Sequence, residues 1–154
     1  MNRRVAVRGI VLHDGKLLCV QLKEAAGDAN AWWCLPGGGV DVGEPLLLAL
    51  ERELIEELGV KPDIGSLLYS QQFIHDDIEH MEFFFHILNA QDYLNVDTSQ
   101  TTHGAAELAA VEFIDPTQHN VLPKFLRTEP LVEHATSGAA AKFFDNISLQ
   151  PVTN

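Results

Sequence analysis

The sequence predicts a layered α/β domain, and three observations predict it. Runs of β-branched and apolar residues stand on either side of one strongly amphipathic segment near residues 45–58, and shorter helical stretches follow towards the end of the chain. At 154 residues the chain is long enough for one domain with a real core and short for two. Its hydrophobic content of 46% and mean hydropathy of +0.01 are those of an ordinary globular protein. A single domain is expected over residues 1–148, with 149–154 as a loose tail.

The elements follow in order. Arg4–His13 mixes β-branched and apolar residues, Asp14-Gly15 is a turn signal, and Lys16–Leu22 has strand character, so the two segments predict a hairpin. Residues 24–30 predict a loop, and Trp32–Leu35 a short apolar strand stopped by Pro36 and Gly37–Gly39. The main helix is predicted from about Pro45 to Leu58. Pro45 suits a first turn, Glu44 precedes it where the helix dipole favours an anion, and Gly59 is a natural C-terminal cap. Leu47, Leu50, Leu54 and Leu58 repeat as one buried stripe. Ile64–Phe73 and Met81–Leu88 predict two strands joined by a hairpin loop over Ile74–His80. Residues 91–107 are polar and irregular, and Val111–Ile114 is a further strand. Pro123–Arg127 and Glu129–Thr136 predict short helical pieces, with Thr128 as a cap and Gly138 as a stop. Lys142–Ile147 fits a strand or a helix equally.

Charge narrows the classes of partner. There are 22 acidic side chains against 10 basic ones, a net charge of −12, so the overall field repels a nucleic-acid polymer. No apolar run approaches the ~18–20 residues of a membrane helix, so no membrane partner is expected. The N-terminal stretch fits a signal peptide poorly, because Arg8 interrupts its apolar part. Cys19 and Cys34 lack metal-ligand spacing and suit a reduced, cytoplasmic protein. An anionic substrate would find few cations in this chain, and a bound metal would fill that gap.

The main helix carries the strongest chemical signal. Each residue advances ~100° on a helical wheel. Leu47, Leu50, Leu54 and Leu58 then fall within ~80°, and Glu53, Glu56 and Glu57 within a separate arc of ~100°. Three carboxylates at i, i+3 and i+4 repel one another and destabilise a helix unless a cation binds them. Arg52 is the only cation in the helix, and no lysine lies between Lys23 and Lys61. A solvated acidic face is the bland alternative; a hard divalent cation with oxygen ligands is the functional one. Glu51 projects close to the apolar stripe, so either that edge is exposed or Glu51 has a partner.

Residues 38–60, GGVDVGEPLLLALERELIEELGV, resemble the Nudix box. Gly38, Glu44, Arg52, Glu53, Leu54, Glu56, Glu57, Gly59 and Val60 fill every defined position, a match expected by chance in on the order of one chain in ten million. With the flanking strand pattern, the likeness covers roughly residues 4–137. It implies an α/β fold of the Nudix type, an α/β/α sandwich with a central mixed sheet. It further implies hydrolysis of a nucleoside diphosphate linked to another group X, by attack of water at phosphorus. Glu56 and Glu57 would be the main metal ligands, with Glu53 a third ligand or the base. The carbonyl of Gly38 or Gly37 would add an oxygen, and Arg52 would orient the cluster. Glu44 and Gly59 would be structural. The implied cofactor is Mg²⁺, with Mn²⁺ as the alternative, and the implied partner is a small nucleotide-like molecule. A homodimer is left open.

Outside the box, Glu107 is a candidate ligand or base, against a solvated loop glutamate. Arg8 and Lys23 are candidates for phosphate contact, against ordinary strand-surface charges. Asp76 and Asp77 fit solvated turn residues better than site residues. Trp32, Phe73 and Asn120 could touch a base, although packing suits the aromatic residues better. His75, His80 and His86 have no ligand spacing. Within the family that the box resembles, the ADP-ribose branch often carries a proline about sixteen residues after it; position 76 is Asp, and no proline occurs from 63 to 115, so the resemblance implies a nucleoside triphosphate or nucleotide sugar ahead of ADP-ribose. The alternative from another class is a Nudix-like nucleotide-binding or sensor module that does not hydrolyse.

Overall fold

The computed structural model describes residues 1–27 and 31–147. Two sheets share the core. The first has five strands in the order β4-β1-β6-β5-β8, where β1 is Asn2–Ile10, β4 Gly37–Gly39, β5 Ile64–His75, β6 Ile78–Ile87 and β8 Lys142–Asp145. It is mixed: β1 runs parallel to β6 and β5 parallel to β8, while β1–β4 and β5–β6 are antiparallel. The second is antiparallel, in the order β2-β3-β7, from Leu12–His13, Lys16–Leu22 and Leu108–Ile114. The predicted α/β class holds. Among the described residues no helix is long and apolar enough to cross a membrane.

Several local expectations change. The predicted first hairpin is not a single pair: β1 ends at Ile10, and only β2 folds back on β3 around Asp14 and Gly15, both with positive φ. The chain passes between the sheets at Val11, which is fully buried. Trp32–Leu35 makes isolated bridges, Val20 to Cys34 and Trp33 to Val121, instead of a strand. The predicted loop at 24–30 begins with a short helix, α1 (Lys23–Ala26), and its residues 28–30 lie outside the described residues. The predicted long loop at Ile74–His80 is a two-residue turn. His75 pairs with Ile78, and Asp76 and Asp77 both take positive φ, 49° and 60°, as a type I′ hairpin requires. Residues 142–145 form β8, while the predicted tail at 149–154 lies outside the described residues.

The main helix, α2 (Leu46–Leu58), buries Ala49, Leu50, Leu54, Glu57 and Leu58. Leu47 is 50% exposed, so the buried stripe is centred nearer Leu50 than the leucine repeat alone suggested. Glu57 sits beside Leu50 on the wheel and therefore enters the core side with it, apart from Glu53 and Glu56. Leu50 and Leu54 pack with Val7, Phe85 and Ile87 on one face of the five-stranded sheet. Removing a leucine from such a cluster costs about 2–5 kcal/mol. Glu51 belongs to the open edge, 4.0 Å from Lys61. Pro45 is the extended N-cap residue, and Glu44 turns towards the backbone N–H of Asp41 and towards Arg52 instead of the helix amides.

The irregular stretch after β6 closes the other end of α2. Its last part is a short helix, α3 (Gly104–Glu107). The Glu56 carbonyl accepts the His103 N–H at 2.9 Å, and the Glu57 carbonyl accepts the Thr101 hydroxyl at 3.0 Å. These bonds satisfy carbonyls that a helix end leaves open. On the opposite face of the large sheet lie Ile10, Tyr69, Phe84, Leu126 and Leu131, the last from α4 (Leu131–Ser137). Thr128 does not cap α4; Pro130 stands there, and Gly138 stops the helix with φ 69°.

Candidate active site

The site begins at a backbone that only glycine can follow. Gly37 has φ 138°, and a Cβ there would collide with the Val7 carbonyl. Gly38 faces the Glu53 carboxylate so closely that a Cβ would lie 2.5 Å from Oε2. Arg8 fixes the same loop from β1, its Nη1 donating to the carbonyls of Leu35 and Gly37 at 3.2 Å each. Thus β4 brings the glycine loop against the acidic face of α2.

Arg52 is the hub of that face. Its Nε and Nη2 donate to the two oxygens of Glu44 at 2.9 Å each, a bidentate pair. Its Nη1 donates to Glu53 at 3.0 Å and to Glu56 at 3.3 Å, and its Nη2 also to the Gly39 carbonyl at 3.1 Å. The Arg52 hydrogen bonds hold the Glu44 carboxyl down at about 2, helped by the Asp41 N–H. The same Glu44 bonds raise the Arg52 guanidinium above its ordinary value.

Glu57 receives none of this. Glu57 as a whole is 7% exposed, and its carboxylate makes no ion pair among the described residues. Burial pushes it up to about 8, and the charges of Glu53 and Glu107 add to the rise; Arg8 and a backbone hydrogen bond with Gly37 oppose it. A buried carboxylate with too little positive charge, beside Glu53 and Glu56, is a hard-oxygen donor set that suits a divalent cation. His103 joins this group: its Nδ1 is 3.1 Å from Glu56, and ligand atoms of Glu53, Glu56 and His103 lie within 4.8 Å of one another.

Glu53 and Glu57 line a cavity of about 1120 Å³ that runs from the glycine loop across the large sheet. Of the residues predicted from the sequence, Arg8, Gly38, Glu53, Glu57 and Glu107 line it, as do Trp32 and Phe73; His75, for which no ligand role was expected, lines it too. Lys23 is not among the lining residues; its ammonium donates to the Ala105 carbonyl of α3 at 2.6 Å. Asp76 and Asp77 are exposed turn residues away from the lining. The sequence reading missed Arg4, Gln71, Glu82, His103, Lys124, Phe125 and Phe144, all of which line the cavity. The alternation along β5 and β6 marks Gln71 and Glu82 as polar residues on a buried face; no local pattern marks the others.

A family model of the NUDIX domain matches residues 2–134. The CTP pyrophosphohydrolase of Escherichia coli (strain K12) is 34% identical over 93 residues, which is 56% of this chain and 68% of that protein. The nucleoside triphosphatase NudI of Escherichia fergusonii is 39% identical over 61 residues, 40% of this chain and 43% of that protein. The chain thus spans about two thirds of the first relative and less than half of the second. Among solved structures, that of the E. coli ORF135 protein aligns with a TM-score of 0.66 and 25% identity, over 91% of this chain and 96% of that one.

Proposed function

The chain belongs to the Nudix family, and on that premise we propose that it is a metal-dependent pyrophosphohydrolase of nucleoside triphosphates. The observation that carries this reading is the division of labour around α2, where Arg52 orients Glu44, Glu53 and Glu56 and leaves Glu57 buried with no ion pair among the described residues. The names of the two relatives support a triphosphate over ADP-ribose or a nucleotide sugar.

Glu53, Glu56, Glu57 and the Gly38 carbonyl would hold Mg²⁺ or Mn²⁺. When bound, the cation draws charge off the phosphate oxygens and makes water more acidic. The protein's own residues do the rest. Arg52 keeps the carboxylates apart and in register, and His103 approaches the same Glu56 oxygen, Oε2, that Arg52 holds. Arg8, held at the carbonyls of Leu35 and Gly37, presents its charge to the phosphate chain at the cavity floor. The proton of the attacking water passes to Glu53 or Glu107, which both face the cavity. An intact charged cluster favours an enzyme over a binding module, because three close carboxylates cost stability that binding alone does not require.

Release of pyrophosphate from each nucleoside triphosphate, with Mg²⁺ or Mn²⁺ and with chelator, tests the proposal. Turnover should need the cation. An absence of release from every triphosphate under both metals would sink it.

A further inference from the structure

One cross-strand row of the large sheet runs from the glycine loop to the far edge of the cavity. Gly39 pairs with Ala6, Ala6 with Glu82, Glu82 with Gln71, and Gln71 with Phe144. Residues directly opposite one another on neighbouring strands share a face. Strands lie ~4.8 Å apart, so Glu82 stands ~10 Å from β4 along this row. That is the reach of a ribose and base from phosphates held at the loop.

Glu82 is 9% exposed and Gln71 5%, and both line the cavity. In the next row of the same face Arg8 stands with Phe84 and Tyr69, both rings fully buried, and in the row on the other side Arg4 stands with His80 and Phe73. Leaving buried polar groups short of partners is costly. Among the described residues the Glu82 carboxylate accepts one side-chain hydrogen bond, from Gln71 Nε2 to Oε2 at 3.1 Å. A carboxylate can accept about four. Flat rings flank the pair. Phe125 stacks on Phe144 with centroids 4.3 Å apart, and Phe73 on His80 at 4.6 Å. Phe73, Phe125 and Phe144 line the cavity, and such faces accept a base by stacking.

Building on the pyrophosphohydrolase reading, we propose that Glu82, oriented by Gln71 at the cavity floor, determines base specificity by accepting the exocyclic N–H of an amino-bearing nucleobase. Cytosine offers an amine at the ring position where uracil carries a carbonyl oxygen, which a carboxylate repels. The pair therefore selects cytosine over uracil, with the phosphates at Gly37–Gly39 and the ribose in the cavity between.

Calorimetric binding of the α,β-methylene analogues of CTP and UTP, to the wild-type protein and Glu82→Gln, tests this without turnover. The wild type should bind the cytidine analogue at least about tenfold tighter, the effect of one hydrogen bond to a charged group. Glu82→Gln should narrow the preference to within about threefold, because an amide can turn either its N–H₂ or its carbonyl to the base. Equal binding by the wild type, no binding of either analogue, or an unchanged preference in Glu82→Gln overturns the proposal. Should Glu82→Gln fail to melt cooperatively, Gln71→Met removes the orienting donor and must narrow the preference instead; an unchanged ratio there also overturns it. Tight, cytidine-selective binding without hydrolysis of CTP or UTP would support base selection and count against the hydrolase reading alone.

Discussion

The helix end of the cavity and its sheet floor hold their charges by different means. At the helix end, one arginine bonds three carboxylates drawn from residues 44–56, and each of those ion pairs joins residues no more than eight positions apart. On the floor, Glu82 is held by an amide from the neighbouring strand, eleven residues away, and is itself buried. Glu57 belongs by sequence to the first region and by environment to the second: it is next to Glu56 but buried like Glu82. The difference teaches that short-range ion pairs orient acidic groups, whereas sheet topology decides which of them lose water.

The largest effect should come from the residue that straddles the two regions. Glu57→Gln is expected to lower kcat by at least about a thousandfold, since an amide holds a cation poorly. The same change should raise stability in alkaline, metal-free buffer. Glu57 is raised to about 8 in the fold from an ordinary value of 4.5, so the folded protein holds this proton more tightly than the unfolded chain. Wild-type stability from this group is therefore full below 4.5, falls as the pH climbs towards 8, and is gone above it. The amide of the Glu57→Gln variant has no charge to bury. Thermal melting in EDTA at pH 9 should place the variant several degrees above the wild type, roughly 2–4 °C for each kcal/mol removed. With excess Mg²⁺ the order should reverse, because the cation stabilises only the carboxylate form. A variant that melts below the wild type in EDTA at pH 9 would show that burial is not what strains Glu57.

That straddling explains how much of the molecule was legible beforehand. Arg52 with Glu56 at i, i+4 and Glu53 with Glu56 at i, i+3 are spacings fixed by 3.6 residues per turn, so those meetings could be read from the chain. The burial of Glu57 could not be read in the same way. Its position on the wheel is next to Leu50, but the leucine repeat drew the apolar centre towards Leu47, which the end of the helix leaves exposed. The strands were recognisable from their composition, yet nothing local says that β1 lies between β4 and β6. That order alone places Arg4, Glu82, Gln71 and Phe144 over one cavity. His103 was hidden for another reason: it sits in a polar segment whose role, capping the carbonyls at the end of α2, appears only once both are folded.

A smaller effect should separate orientation from stability at the helix end. Gly38→Ala puts a methyl group 2.5 Å from the Glu53 carboxylate, the movable end of a flexible side chain. Gly38 is not among the positive-φ residues, so the backbone itself tolerates alanine. The melting temperature should change little while kcat falls by about ten- to a hundredfold, because misplacing a catalytic group by ~1 Å is costly. Equal losses of stability and activity would mean that the glycine serves the fold and not the geometry of Glu53.

The smallest effect is expected at Lys23, and it tests whether a charge near the site must touch the substrate. Lys23 and Arg8 looked alike in the sequence as cations on or after neighbouring strands. The fold separates them: Arg8 lines the cavity, and Lys23 spends its ammonium on the Ala105 carbonyl of the short helix that ends in Glu107. Losing one exposed hydrogen bond should loosen α3 only slightly. Lys23→Met is therefore expected to keep kcat/KM within about threefold of the wild type, with any loss falling in kcat through Glu107. Arg8→Met should raise KM at least about tenfold, the scale of a lost charge-assisted bond to phosphate. If Lys23→Met raised KM as much as Arg8→Met, the ammonium would have to leave Ala105 for the phosphates, and α3 would then be a part of the site that moves when substrate binds.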